Sequence, residues 1–335
     1  MTTASTVRGG GIPLSTSLLR LRRVLKDAGI DTSGPAHRVP NASNEVWEVG
    51  PYIVRLGNRP SSRRLAHEAT VIGLLPPEAR HPGVVAHGRN EVGEWIIVNR
   101  VPGDPLSKVW LKLNESQRAR AVGQLATAMR AIHGVRPGSA LEPPFLAPGS
   151  LECPHQLPLE RLADLIDRAS TMPGIDPGLV RAAERQAGEW GTALGDEPDT
   201  LVHGDFHLEN VLFVNDVLTA VVDFEFARPT WPEVDLEILL RFCEQPQWHV
   251  AADYRDASTR DSFRKVVRHL REAYPQLFSD PRLTDRLNLF SLSYDLRDLV
   301  LQPTPKPGVD LPPFHPLNRL TRLLDGRGTL QLIDW

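Results

Sequence analysis

The chain has 335 residues, 41% hydrophobic and 24% charged, with a net charge of −3 at neutral pH. Such a chain suits a globular protein with two lobes, each large enough for its own core. It carries no basic stripe for nucleic acid, and no apolar run near the roughly 18 to 20 residues of a bilayer span, so neither partner is expected.

Met1 to Pro13 is small and polar, lacks the apolar core of an export signal, and reads as a flexible N-terminus. A cytoplasmic protein is therefore expected. Cys153 and Cys243 have no neighbours at metal-ligand spacing and read as buried thiols. A basic amphipathic helix is predicted from Leu18 to Ala28. Strands follow at Glu45 to Val49 and Tyr52 to Leu56, joined by the turn dipeptide Gly50-Pro51. Helical periodicity covers Arg64 to Leu75 and stops at Pro76-Pro77, and further strands are expected at Val84 to Ala86 and Glu94 to Val98.

In the second predicted strand, Ile53 and Arg55 share a face. On the following helix, Glu68 falls within the apolar stripe of Leu65, Ile72 and Leu75. A carboxylate there is costly unless paired, and Arg55 is the natural partner. Beyond Pro102-Gly103 the pattern turns helical. Gln117 to His133 repeats Val122, Leu125, Met129 and Ile132 on one face, with Asn114 and Gln117 as an N-cap and Gly134 as a C-cap.

One segment interrupts the helices. From Leu201-Val202 the chain runs His203-Gly204-Asp205-Phe206-His207-Leu208-Glu209-Asn210, then two apolar runs around Asn215-Asp216, then Asp223-Phe224-Glu225. Asn215-Asp216 marks a two-residue hairpin. With the turn there, Val214 should face Val217 and Val211 should face Ala220. Asn210 and Asp223 then emerge together at the open end, with Asp205 on the loop before them. One amide oxygen and two carboxylates converge without a nearby cation to neutralise them, which suits a magnesium ion carrying a nucleotide.

The set His203, Gly204, Asp205, His207 and Asn210, followed by Asp223-Phe224-Glu225, resembles the aminoglycoside phosphotransferase and choline kinase superfamily. The resemblance extends over roughly residues 35 to 245. It implies an α+β, protein-kinase-like fold, with a small strand-rich N-lobe (14–98), a hinge (99–103) and a larger, mainly helical C-lobe (104–335). It further implies that Asp205 positions and deprotonates an acceptor hydroxyl, while Asn210 and Asp223 hold Mg2+ against the phosphates of ATP or GTP. His203 and Asp235 are expected to be structural. Arg55 and Glu68 match the family's phosphate clamp, although many members carry lysine at the first position. The expected nucleotide-covering loop, Pro40 to Asn44, contains no glycine, and Ser43 and Asn44 offer polar groups instead. Val98, Asn99, Arg100 and Val101 align with the purine-binding hinge.

The acceptor is expected to be a small molecule. Its candidate contacts are Glu225, Glu209 and His207. An acidic wall of Glu209, Glu225, Glu233 and Glu244 would favour a cationic acceptor, with solvated surface carboxylates as the alternative. Three functions stay open: an antibiotic or natural-product phosphotransferase, a metabolic kinase for a choline-like or sugar-like compound, and a nucleotide-binding pseudokinase. The sequence leaves the oligomeric state undetermined.

Overall fold

A computed structural model describes residues 14–31, 34–39, 44–58, 62–146, 150–157, 159–302 and 310–328. Two compact units emerge. The first comprises residues up to 69 together with 83–100, and the second comprises 70–82 and everything from 101 onward. The first unit is therefore not the unbroken span 14–98.

The first unit is built on a five-stranded antiparallel sheet, β1 (Ala36–Val39), β2 (Asn44–Val49), β3 (Tyr52–Gly57), β4 (Val84–Asn90) and β5 (Gly93–Asn99), in the order β1-β2-β3-β5-β4. Gly50-Pro51 makes the expected β2–β3 turn, so Trp47 pairs with Val54 and Glu48 with Ile53. Alternation then sorts the side chains. Trp47, Val54, Leu56 and Ile97 pack with Leu21, Val24 and Leu25 of helix α1 (Leu14–Asp27). Ile53, Ile96 and Val98 pack with Leu65 and Ala69 of α2 (Arg64–Leu74). Helix α1 starts a turn earlier than its sequence pattern suggests. Its Arg20 reaches the buried Glu45 at 2.6 Å, and strand β1 was not foreseen.

The second unit begins with the short strand β6 (Asp104–Pro105), α3 (Leu106–Trp110) and the long α4 (Glu115–His133). Val122, Leu125, Met129 and Ile132 of α4 are all fully buried. The Asn114–Gln117 capping box forms as expected. Gly134 ends the helix in the right-handed conformation, with φ −75°, rather than as a left-handed cap. Next come α5 (Leu159–Ser170), α6 (Pro177–Gly191), β7 (Leu201–Val202), β8 (Val211–Val214), β9 (Val217–Val221) and β10 (Arg228–Pro229). The remainder is helical: α7 (Glu233–Glu244), α8 (Arg260–Phe263), α9 (Lys265–Ala273), α10 (Leu283–Leu301) and α11 (Pro316–Leu324). Helices α5, α6, α10 and α11 share one core of leucines, including Leu162, Leu165, Leu292, Leu296 and Leu320. Cys153 and Cys243 are both buried and free. Among the described residues, no helix is long and apolar enough to cross a membrane.

Candidate active site

The loop carrying Asp205 leaves β7, which is tied to β10 by the pairs Val202–Arg228 and Leu201–Pro229. It ends in a single 3-10 turn, Leu208–Asn210, that feeds β8. Asn215 and Asp216 close the β8–β9 hairpin with φ of 51° and 62°, the paired positive values of a type I′ turn. Val214 faces Val217 as expected, but Val211 faces Val221 and Ala220 faces Leu212. The pairing slips because Thr219 bulges out of register, its hydroxyl donating to Pro102 O at 2.6 Å. The slip draws the end of β9 one residue closer to Asn210. Val222 N donates to Asn210 O at 2.9 Å, so Asp223 stands next to Asn210 at the open end.

Asp235, fully buried at the start of α7, holds the loop from behind. Its two oxygens accept from His203 N at 2.9 Å and Gly204 N at 2.8 Å, and His133 Nε2 donates to it at 3.1 Å. Burial opposes its ionisation, but these donors and the His133 imidazole prevail and lower its pKa. Gly204 has φ +79°, and a Cβ there would lie 2.2 Å from Phe226 O, so only glycine fits. His203 donates from Nε2 to Val222 O at 2.9 Å and accepts from Asp205 N at Nδ1, 3.3 Å. That pattern requires a neutral ring, and burial lowers its pKa accordingly. His203 thus joins the loop to the end of β9.

Asp205 itself is less constrained. Its side chain is 33% exposed, and its polar neighbours are distant: His207 Nε2 at 3.5 Å and Asn210 Nδ2 at 3.5 Å from Oδ2. Burial would raise its pKa, yet the neighbouring imidazoles hold it at about 2. His207 carries most of this effect, because its own pKa is raised, Asp205 outweighing the burial that opposes its charge. His203 and His249 both have lowered pKa values and so contribute little positive charge.

Asn210 Nδ2 donates to Asp205 O at 2.9 Å, which fixes the amide and turns its carbonyl oxygen away from the loop. That oxygen and the half-buried Asp223, held at φ 71°, are hard oxygen donors of the type magnesium accepts. Among the described residues, no group of three or more His, Cys, Asp or Glu is arranged to hold a metal. An amide–carboxylate pair suits an ion that takes its remaining ligands from phosphates and water.

The expected acidic wall does not form. Glu209 accepts from Tyr254 OH at 2.6 Å and from Ser107 Oγ. Glu233 pairs with Arg286 at 3.0 Å, and Glu244 lines a small cleft with Arg241, Arg319, Arg322 and Arg327. Glu225 is buried, with 4% exposure. Glu209 and Glu233 are engaged by partners far along the chain, which their local sequence could not disclose. His207 remains beside Asp205, its ring stacked on Phe242 at 5.8 Å and 5.6 Å from that of His249. Sequence reasoning missed His249, and no motif signal marked it.

In the first unit, Arg55 Nη1 lies 2.7 and 2.6 Å from the two oxygens of Glu68, which is 3% exposed. Asn44 opens β2, nearly buried and opposite Gly57, while Ser43 lies outside the described residues. Val98 and Asn99 are the last residues of β5, opposite Ile53 and Tyr52. Arg100 N donates to Pro51 O at 2.8 Å, and its side chain pairs with Glu48 at 3.2 Å. Val101 groups with the second unit.

An antiparallel sheet unit joined to a larger helical unit, with Asp205 on a loop and Asn210 and Asp223 at the open end of the following hairpin, defines a protein-kinase-like fold. The chain aligns with solved structures of that class. One is an aminoglycoside phosphotransferase mutant in complex with GDP, at 16% identity and TM-score 0.61, covering 92% of this chain and 96% of that one. Another is a thermostable aminoglycoside phosphotransferase mutant with ADP and hygromycin B, at 16% identity and TM-score 0.59, covering 94% and 98%. The model of the phosphotransferase enzyme family matches residues 37–271, and the chain belongs to that family. Curated relatives are homoserine kinases. That of Allorhizobium ampelinum is 32% identical over 138 residues, 40% of this chain and 39% of the relative. That of Rhizobium meliloti is 27% identical over 186 residues, 51% and 50%. The chain thus spans about half or less of the curated relatives it matches.

Proposed function

We propose that the protein transfers the γ-phosphoryl group of ATP, or of GTP, to a hydroxyl of a small molecule. The observation that carries this reading is the pairing of a braced loop with an open carboxylate. Asp235 and His203 fix the loop from behind, while Asp205 keeps unspent hydrogen-bonding capacity. The acceptor oxygen bonds to the γ-phosphorus as the bond to the β-phosphate oxygen breaks, ADP departs, and the hydroxyl proton passes to Asp205. A carboxylate at about 2 is a weak base. Its work is therefore mainly to orient the hydroxyl and to take the proton late, which a loose phosphoryl-transfer transition state permits. Asn210 and Asp223 would hold Mg2+, which supplies charge neutralisation at the phosphates. Arg55, fixed by Glu68, would contact the nucleotide phosphates, with Ser43, Asn44 and the segment Val98 to Val101 as further nucleotide contacts. Asp235 and His203 act on the loop, not on substrate.

Two acceptor classes follow from the relatives' names. The solved neighbours favour an aminoglycoside-like acceptor and a role in antibiotic resistance, while the homoserine kinases favour a metabolite. A cytoplasmic location fits either, since both draw on the ATP pool. ADP release by the full chain with ATP and Mg2+ tests the activity across kanamycin, choline, L-homoserine and small sugars. Nucleotide binding should depend strongly on Mg2+, and Asp223→Ala should remove most of that dependence. Nucleotide and Mg2+ binding without ADP release from any acceptor would point to a pseudokinase.

A further inference from the structure

Strand β9 is the outer strand of the sheet β6-β8-β9, and Asp223 follows from its end. In an unbroken strand the amides facing one edge recur at every second residue. Along the outer edge of β9 that rule is broken. Leu218 N donates outward to the Gln124 side-chain oxygen at 2.9 Å, and Val221 N donates outward to Arg80 O at 2.7 Å. Two outward amides three residues apart require one extra residue between them, and the pairing leaves Thr219 as that residue. Beyond it the parity is reversed, so Val222 N rather than Val221 N turns inward, to Asn210 O at 2.9 Å. A regular β9 would set Val221 opposite Asn210 and carry Asp223 one residue further along. A slip of one residue also turns the side chains to the other face.

Contacts from outside the hairpin hold this extra residue. The Thr219 hydroxyl directs its hydrogen to Pro102 O at 2.6 Å, with Leu212 O 3.2 Å away. The connector can approach this closely because Gly103 follows Pro102. Gly103 has φ +140°, and a Cβ there would lie 2.9 Å from Phe213 N and 3.0 Å from Thr219 Oγ1. From α4, Gln124 lies along the start of β9 as a further strand would. Its amide nitrogen donates to Asp216 O at 2.9 Å while its oxygen takes Leu218 N. Gln117 and Arg120 each hold the Asp216 carboxylate at 3.1 Å. The turn is thus fixed by α4 and the bulge by Pro102. Thr219 itself is half-buried, and the fully buried Leu218 and Ala220 beside it supply the core contacts of the strand.

We propose that Thr219 is a positioning residue for the metal site: its hydroxyl, bound to Pro102 O, holds the bulge that sets Asp223 beside Asn210, and Gln124 supports it. The inference rests on the reading of Asn210 and Asp223 as magnesium ligands.

The test separates the two. Affinity of the full chain for a non-hydrolysable ATP analogue is measured by calorimetry with Mg2+ and again with EDTA, and the ratio of the two reports the metal site. Thr219→Val keeps the shape and removes the hydroxyl. It should lower the ratio by up to about tenfold, the worth of one hydrogen bond, with the affinity in EDTA unchanged. Thr219→Ser should restore the ratio, and adding Gln124→Leu to Thr219→Val should lower it further. Without nucleotide, the Val221 and Val222 amides of Thr219→Val should lose protection against hydrogen exchange while α10 keeps its own. The inference is overturned if Thr219→Val keeps both ratio and protection, if protection falls with the ratio unchanged, or if Thr219→Ser behaves like Thr219→Val. Asp223→Ala is the control. A ratio lost in Asp223→Ala but kept in Thr219→Val sinks this inference alone. A ratio unchanged in Asp223→Ala sinks the metal reading, and the role of Thr219 with it.

Discussion

Asp205 and Glu237 are both held ionised at a pKa of about 2, but by opposite strategies. Glu237, on α7, is fully buried and saturated. One oxygen accepts from Arg241 Nη2 at 2.6 Å, Arg241 Nε at 3.2 Å and Ser291 Oγ at 2.7 Å, and the other from His155 Nε2 at 2.9 Å. Burial opposes its charge, and Arg241 with His155 overcomes that penalty. Asp205 is a third exposed and makes only long contacts. The depressed pKa is common to both and so does not mark the reactive group. Unspent hydrogen-bonding capacity does. A saturated carboxylate has nothing left for a substrate, and an open one has.

The comparison breaks most directly at Glu237. Glu237→Ala leaves His155 buried without its partner and Arg241 with Asp295 alone, which should cost about 3–5 kcal/mol. In a chain of this size that corresponds to a fall in Tm of roughly 10 °C by calorimetry. An unchanged Tm would mean that saturation has no structural worth here.

Asp205→Asn is the counterpart. It keeps the shape and removes the base, so turnover with the true acceptor should fall by about 10² or more. Because the carboxylate makes no short hydrogen bond, Tm should stay within about 2 °C, as for a substitution outside the core. Nucleotide affinity should persist. Full turnover in this variant would remove Asp205 from the mechanism, and a large fall in Tm would show that it is structural like Glu237.

What the sequence disclosed follows the same division. The Asp205 loop and its hairpin were readable because their geometry is local: a two-residue turn, a short register and a five-residue spacing to Asn210. Glu68 was readable because an acid on an apolar helical stripe demands a partner, and Arg55 supplies it at 2.6 Å. The Thr219 bulge was not, since the carbonyl that captures its hydroxyl belongs to Pro102, on the far side of α4 in the chain. Nor was the pairing of Glu209 and Glu233, whose partners Tyr254 and Arg286 lie 45 and 53 residues away. The acidic wall failed for that reason. A lone glutamate in sequence says nothing about which helix will deliver its cation. His249 was invisible on the same grounds: it acquires meaning only when the turn after α7 brings it to His207.

A smaller effect probes both regions at once, because each contains a neutral buried histidine. His203 accepts from Asp205 N, and His155 donates to Glu237, with burial lowering the pKa of each. His249 is lowered as well, to about 3. When a histidine's folded pKa lies below its unfolded value of 6.5, the unfolded chain binds the extra proton first. Stability is then complete above 6.5 and declines as the pH falls below it, by up to about 1.4 kcal/mol per pH unit for each such group. His207 works in the other direction, since its raised pKa adds stability at low pH that is lost as the pH rises through it. With His315, also lowered by burial, the four lowered histidines outweigh the one raised. Tm at constant ionic strength should therefore fall between pH 7.5 and pH 5, before Asp205 or Glu237 titrates. The two regions should respond differently in kind. Protonating His203 destroys the acceptor for Asp205 N and loosens the reacting loop. Protonating His155 merely adds a buried donor at Nδ1, an atom without a partner. Measured as protection against the intrinsic rate, which itself falls with pH, the Asp205 amide should therefore lose protection on acidification before α7 does. A Tm that is flat or rises toward pH 5, or protection that is lost first in α7, would show that the loop is not held by a neutral His203.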